Sequence, residues 1–485
     1  MTRAKLLITI GAVTVLSACS VTPEKLTSAD LETNAERNLR LVDAEQDPIT
    51  GSIDLNQAVA RALKYNLDYK VELMEHALRA RELDLSRYDM LPQLVSSVGY
   101  AGRNNYSGSS SRSLISGQES LEPSTSAEKD IFSADLTLSW DVLDFGLSYV
   151  RAQQKADQVL IAMERRRKVA NRIIEEVRIA YWRSVSAERL MAKLHQLESS
   201  VQETLTNGQR LSERRLSSPL TALTYQRELI DIQSNVRQLQ RELVVAKAQL
   251  SALMNVRPGT KYSLVLPDRG AEIPKVHYSG EEMMMTALQH RSELREVSYL
   301  QRINAKELDV AMLSALPNFK TFIGVNYDTN DFLYNNNWLQ YGASASWNVL
   351  NLFRLPAHKR TVKAEEALLQ QRELALAMAV MTQVYVSRAQ LAHRRGELDS
   401  ASRKYKVQSL ILDQIKGGYG AGAMSKQTLL REEMNTLVTE VKYDIAYAEA
   451  QGAYANLFSS MGIDSFGSYL TGERNVVTLS HSNGL

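Results

Sequence analysis

Cysteine is almost missing from this chain of 485 residues: Cys19 is the only one, so no intramolecular disulfide supports the fold. The seven histidines, at 76, 195, 277, 290, 358, 393 and 481, form no short-spaced pair, and no second cysteine exists to complete a metal set. No H-E-x-x-H, G-x-S-x-G or G-x-x-x-x-G-K-[ST] string occurs. Gly417, Gly418, Gly420 and Gly422 crowd together, but no strand pattern precedes them, and they read as turn glycines. Met283, Met284 and Met285 read as apolar filling at a helix start rather than a soft-metal site. No enzyme activity, cofactor or metal site is expected. Beyond the first residues no apolar run reaches 18, so no transmembrane helix is expected either, and membrane residence would have to be through strands.

What is present begins with an address. Arg3 and Lys5 precede an apolar run from Leu6 to Leu16 with no acidic residue, too short for a permanent span and of signal-peptide form. The run ends in Leu16-Ser17-Ala18-Cys19, the pattern of a bacterial lipobox, whose cysteine takes a diacylglycerol. Residues 1–18 are thus expected to be a signal peptide and 19–52 a lipidated N-terminal segment. Two or three acyl chains of palmitate type on Cys19 would anchor stably, at about 0.8 kcal/mol per buried CH₂. Ser20 rather than Asp follows, which in lipoproteins of this kind permits sorting to the outer membrane. Without Arg3 and Lys5, the 57 basic residues fall to 55, against 55 acidic ones. The balance gives no basic footprint for nucleic acid.

The rest of the chain says one thing twice. Asp54 reads as an N-cap before Ala58, Ala62, Leu63 and Leu67; Ser279 and Glu282 form a capping box in the second copy. Ala62-Leu63 aligns with Ala287-Leu288, and Leu91-Pro92 with Leu316-Pro317, both at a shift of 225. Helices of equal length are therefore expected between cap and Leu-Pro, ending where proline bars the preceding residue from the helix. Trp140-Asp141-Val142-Leu143 matches Trp347-Asn348-Val349-Leu350 at 207, while Tyr181/Tyr385 and Arg227-Glu228/Arg431-Glu432 match at 204. The repeats are placed at 53–255 and 281–462, joined by a segment at 256–280 and followed by a tail at 463–485. Both of these connecting pieces are expected to wrap the helical part.

Each copy carries a β-hairpin with period-two alternation. Ala134, Leu136, Leu138 and Trp140 share one face, with Ser133, Asp135, Thr137 and Ser139 on the other. Tyr341, Ala343, Ala345 and Trp347 oppose Gln340, Gly342, Ser344 and Ser346. Phe319, Thr321, Ile323, Val325 and Tyr327 oppose Lys320, Phe322, Gly324 and Asn326, with Phe322 out of place. A soluble sandwich and a transmembrane barrel share this pattern; Trp140 and Trp347 at one end, with Tyr106, Phe132, Tyr327 and Trp338 near the other, favour lipid. Four strands cannot enclose water, and open edges are not tolerated in lipid, so several chains would have to share one barrel.

Long helices follow each hairpin. From Phe145 to Leu216 there is no proline, and Ile173, Val177, Ala180, Ala187, Met191, Leu194, Val201 and Leu205 mark a narrow seam of coiled-coil type. The run Glu164-Arg165-Arg166-Arg167-Lys168 reads as a solvated helix face. Ser217-Ser218-Pro219 breaks the first helix, which returns over 221–255; the second runs over 356–416, turns through 417–423 and returns over 425–460.

The duplicated helix–hairpin–helix layout, the Leu-Pro strand entries and the W-x-V-L exits at 140–143 and 347–350 resemble the TolC-like outer-membrane efflux channel family. The stretch at Tyr419, Gly422 and Thr428-Leu429-Leu430 is similar to that family's periplasmic tip, and the likeness spans about 53–462. It implies a mainly α fold with a small β part: duplicated helical hairpins forming a periplasmic α-barrel, and four strands per chain entering a shared trimeric transmembrane barrel. It also implies a homotrimer that docks, through its helix tips, to a periplasmic membrane-fusion adaptor and an inner-membrane pump. The chain would then conduct substrates passively to the exterior. One departure concerns the entrance, where the family often has an aspartate. The matching positions here are Thr224 and Arg227 in one copy and Thr428 and Arg431 in the other, followed by Glu228 and Glu432. Arg–Glu pairs would close that end; ordinary surface pairs are the alternative. For the whole chain, the alternative is a lipid-anchored periplasmic coiled-coil scaffold without a pore.

Overall fold

In the computed structural model, residues 23–42, 44, 46–120, 122–213, 219–257, 259–267 and 273–463 are described. The signal peptide, Cys19, most of the break at 217–218 and the tail beyond 463 lie outside them. The described elements are α1 (Ser28–Leu41), α2 (Leu55–Tyr65), α3 (Leu67–Tyr88), β1 (Gln93–Gly102), β2 (Asp130–Asp141), α4 (Val142–Glu213) and α5 (Pro219–Leu253). They continue as α6 (Gly280–His290), α7 (Ser292–Leu313), β3 (Asn318–Asp328), β4 (Asn337–Ser346), α8 (Leu350–Gly420) and α9 (Lys426–Ser460). No described helix is long and apolar enough to cross a membrane.

The two copies begin alike. Asp54 caps α2 through the Gln57 N–H (2.7 Å), and Ser279 caps α6 through that of Glu282 (3.2 Å). The helix expected to run unbroken to each Leu-Pro is instead two helices, split at Asn66 and at Arg291, again 225 apart. Both residues leave the helical region, with ψ of 128° and 129°. Asn66 is suited to this because its amide accepts from the Tyr69 N–H (3.2 Å) and donates to the Leu253 carbonyl (3.1 Å). The pieces match at 11 and 22 residues in both copies. They stop at Tyr88 and Leu313, a turn earlier than proline alone requires, with Leu91 and Leu316 donating back to the carbonyls of those residues.

The returning helices also end alike. Asn255 (φ 54°) and Gly462 (φ 68°) lie 207 apart in the left-handed region. Behind them the N–H groups of Val256 and Ile463 donate to Ser251 and Phe458. A Cβ at 462 would sit 2.7 Å from the His290 carbonyl, which fixes glycine in the second copy.

At 72 and 71 residues, α4 and α8 reach roughly 110 Å, too long for a compact core. α8 is longer than expected at both ends, since it includes Pro356 in its second turn and continues through Gly417, Gly418 and Gly420. The expected seam of α4 is buried throughout, with Met191 half-buried, and divides between two clusters. Ile173, Val177 and Ala180 pack with Val59, Ala62 and Leu250; Leu194, Val201 and Leu205 pack with Leu229, Met434 and Leu437. A third cluster joins α6, α7, α8 and α9 around Met283, Val384 and Leu457. The connecting segment is less peripheral than expected: Val256, Tyr262 and Leu264 are buried in the first cluster, and Leu264 bridges to Ile53.

The charged run at 164–168 is solvated at Arg165 and Lys168 but not at Glu164. Glu164 is only 1% exposed and meets Arg295 of α7 at 3.3 Å. Arg165 pairs with Glu296 (2.9 Å), Lys168 with Glu293 (3.2 Å), and Arg302 with the buried Asp157. Ile161, Ala162, Leu294 and Val297 are buried along the same stretch, so α4 and α7 meet here through apolar packing bordered by ion pairs.

Candidate functional site: a two-faced sheet and a helical tip

The four strands form one antiparallel sheet in the order β1-β2-β3-β4. Leu136 faces Val325, which faces Leu339; Leu138 faces Ile323, which faces Tyr341. Leu138 also pairs with Leu94, and Ala134 with Val98. Cross-strand partners point the same way, so the four apolar stripes fuse into one continuous face. Among the described residues nothing covers it: Leu94, Val98, Leu136, Val325 and Tyr341 are between 46% and 77% exposed. On the opposite face stand Ser97, Asp135, Thr137, Asn326 and Gln340. The misplaced Phe322 has a local reason. It pairs with Gly342, where a Cβ would meet the ring at 2.8 Å, so the ring fills the space above that glycine.

The aromatic residues sort by end and by face. Trp140 closes the apolar face at the helical end, edge-on to Phe145 at 5.8 Å. Trp347 lies just beyond β4, its indole N–H donating to the Ala315 carbonyl (2.9 Å). Phe132 and Tyr327 close the apolar face at the far end. Trp338 stands at the same far end but on the polar face, opposite Asn326. Tyr106 is in the loop beyond β1, with the Lys129 ammonium 4.2 Å from its ring centre. One residue of this end escaped the sequence. The buried amide of Asn330 accepts from the Glu128 N–H (3.2 Å) and donates to the Ser126 carbonyl (3.1 Å), tying the two hairpin loops together. Only its position in a polar turn pointed to it.

At the other end of the molecule α8 turns into α9 through Gly422, at φ 71°, and Ser425 caps α9 through the Thr428 N–H (3.1 Å). The expected entrance residues gather there. Thr428 shares a 2.9 Å contact with the Ser425 hydroxyl, and Thr224 donates to the Leu220 carbonyl (2.9 Å), so both threonines serve their own helices. Arg431 reaches across the two copies to Glu228 at 3.3 Å and also meets Glu432 at 3.4 Å. Glu432 further accepts from Gln408 (2.8 Å) and Asn435 (3.3 Å). Burial alone would raise its pKa; the hydrogen bonds from Gln408, Asn435 and Arg431 outweigh it and hold the carboxyl below the usual carboxylate value. Arg227 is exposed and has no ion pair among the described residues. Arg431 and Glu228 are themselves 46% and 35% exposed, so within one chain the pair contributes a few tenths of a kcal/mol. No group of metal-ligating side chains occurs among the described residues.

A duplicated pair of long helical hairpins beneath a four-stranded sheet with an exposed apolar face defines the TolC-like channel fold, and this chain has it. Several of its solved neighbours are outer-membrane proteins. The CmeC outer membrane channel of Campylobacter jejuni matches with a TM-score of 0.64 at 14% identity, over 91% of this chain and 93% of that one. The open state of the Neisseria gonorrhoeae MtrE channel gives 0.62 at 16%, over 84% and 89%. The outer membrane protein VceC of Vibrio cholerae gives 0.61 at 12%, over 84% and 96%. By sequence alone, no family model and no curated protein matches.

Proposed function

We propose that this protein is the outer-membrane exit channel of a tripartite export system. It is a lipid-anchored homotrimer that passes substrates outward from a periplasmic adaptor and an inner-membrane pump. The observation that carries the reading is the sheet. Among the described residues its apolar face is uncovered, and β1 and β4 each lack a neighbour on one side. Such a sheet is stable in lipid only if other copies supply the missing strands, which places the polar face toward an enclosed aqueous lumen. Trp140, Trp347, Phe132, Tyr327 and Tyr106 then lie near the membrane borders, with Trp338 at the lumen side. The acyl chains on Cys19 fix the orientation, leaving the long helices in the periplasm.

At the periplasmic end, Arg431–Glu228 ties the two copies within each subunit, and the exposed Arg227 is the matching cation for a neighbouring subunit. These pairs hold the entrance narrow until the adaptor engages it. The test is planar-bilayer recording of the purified protein. A detergent-stable trimer that conducts ions is expected, with higher conductance for Arg227→Ser combined with Arg431→Ser. Unchanged conductance in that double variant removes the gate role; a monomer that does not conduct removes the channel.

A further inference from the structure

Charge is unevenly spread over the polar face of the sheet. In the row nearest the helices Asp141 and Lys320 face each other across β2 and β3, so their charges offset. The Asp141 carboxylate also accepts from the Asn318 amide (2.5 Å) and the Asp144 N–H (3.1 Å). The next two rows, which contain Ser139 and Thr137, carry no charge. The row after them is Ser97, Asp135, Asn326 and Trp338. At the far end Asp328 opposes Ser133, and its carboxylate accepts from the Asn330 N–H (2.8 Å) in the turn. Asp135 has no ion pair among the described residues; only the Thr137 hydroxyl stands near it, at 3.5 Å. Between the offset pair and the outer mouth, the face therefore carries one uncompensated carboxylate per chain.

We infer that Asp135 sets the charge preference of the pore, admitting cations over anions at the level of the sheet. The inference rests on the channel reading, since it needs the polar face to line an enclosed lumen. Three copies would bring the row round as a ring of carboxylates, which concentrates cations and repels anions. Size decides whether such a ring can act. Three copies of the four strands, about 4.8 Å apart and tilted by about 40°, close at a backbone radius of roughly 12 Å. Side chains pointing inward bring the open radius below the Debye length of about 10 Å at 0.1 M salt. An ion on the axis then still feels the carboxylates. Trp338 shares their row and is the largest side chain on that face, so it narrows the lumen where the charge stands. Phe322 intrudes less, because its ring lies over Gly342. The helical tip offers no rival source: Arg227 and Arg431 are matched there by Glu228 and Glu432.

The test is the reversal potential of the purified protein in a planar bilayer under a KCl gradient. The wild type is expected to pass K⁺ over Cl⁻. That preference should fade between about 0.01 M and about 1 M salt, as the Debye length shrinks from about 30 Å to about 3 Å. Asp135→Asn is expected to lower the preference by about twofold or more at low salt, and Asp135→Lys to turn it toward Cl⁻. Trp338→Ala should raise the conductance while weakening the preference. Should the lysine variant fail to fold, Asp135→Cys gives a second readout on channels already conducting. A cationic methanethiosulfonate reagent should then shift the reversal potential toward Cl⁻ and an anionic one toward K⁺, with the wild type responding to neither. A conducting channel without cation preference overturns the inference and leaves the channel standing. So does a preference that is unchanged in Asp135→Asn and unmoved by either reagent. A protein that does not conduct at all overturns the channel reading and this inference with it.

Discussion

Tyr181 is the side chain on which the upper helical cluster turns. It is 2% exposed, and its hydroxyl donates to the Val265 carbonyl (3.0 Å) beside that of Ile53 (3.3 Å). It therefore links α4 to both the start of the first repeat and the connecting segment. Burial, assisted by Asp54 and Glu188, pushes its pKa up to about 12 from a usual 10.0. Below pH 10 the phenol is protonated in the folded and unfolded chain alike, and its contribution is complete. Above that, the unfolded phenol ionises first, so stability falls as pH rises and the contribution is gone once about 12 is passed. Tyr181→Phe is expected to cost about 1 kcal/mol at neutral pH, from the lost hydrogen bond. It should also weaken the alkaline loss, as read from denaturation midpoints at successive pH values. The repeat-related Tyr385 is 69% exposed, so equivalence in sequence did not reveal which tyrosine is structural.

At the scale of the elements, the hairpins and the long helices were legible because their signals are local. Alternation fixed the strand faces, and the spacing of Ile173, Val177, Leu194 and Val201 fixed the buried side of α4. What stayed hidden depends on partners far away in the chain. Asn66 and Arg291 break their helices by bonding to groups such as the Leu253 and Ser459 carbonyls, which no local pattern announces. The run at 164–168 looked solvated because its ion-pair partners stand about 130 positions later, on α7. The proposed gate positions came from the resemblance to the family's entrance, matched in both copies, yet Gln408, which donates to Glu432, carries no signal of its own. Two expectations follow from the packing of these elements. Glu164→Ala should cost about 2 kcal/mol, since it strands Arg295 against a buried site. Arg165→Ala, whose side chain is 52% exposed, should cost only a few tenths of a kcal/mol. Urea midpoints of the two variants test the difference. In the sheet, Gly342→Val should lower folding yield because its side chain meets Phe322, and Phe322→Ala in the same chain should recover it.

For the whole molecule, the two ends answer to different forces. The sheet end depends on apolar area and strand pairing, both indifferent to modest acid. The tip of the proposed gate depends on ionised side chains. Glu432 is the group through which pH would act there, since it meets Arg431, Gln408 and Asn435 at once. Its pKa lies below the usual 4.5, so the sign is that of a depressed carboxylate. Its contribution is present at and above the usual value and is lost only as pH falls through the lowered one. Conductance in planar bilayers should therefore hold level from about pH 8 down to about pH 5 and rise only in stronger acid, as the carboxyl takes up its proton. Glu432→Gln should show the raised conductance already at neutral pH, because an amide keeps the shape of the carboxyl but not its charge. A conductance that rises between about pH 7 and pH 5 would assign the closure to some other titrating group. One that stays flat in strong acid, with Glu432→Gln unchanged, would mean that the tip is held by packing of α4, α5 and α9 around Leu229 and Met434 rather than by charge.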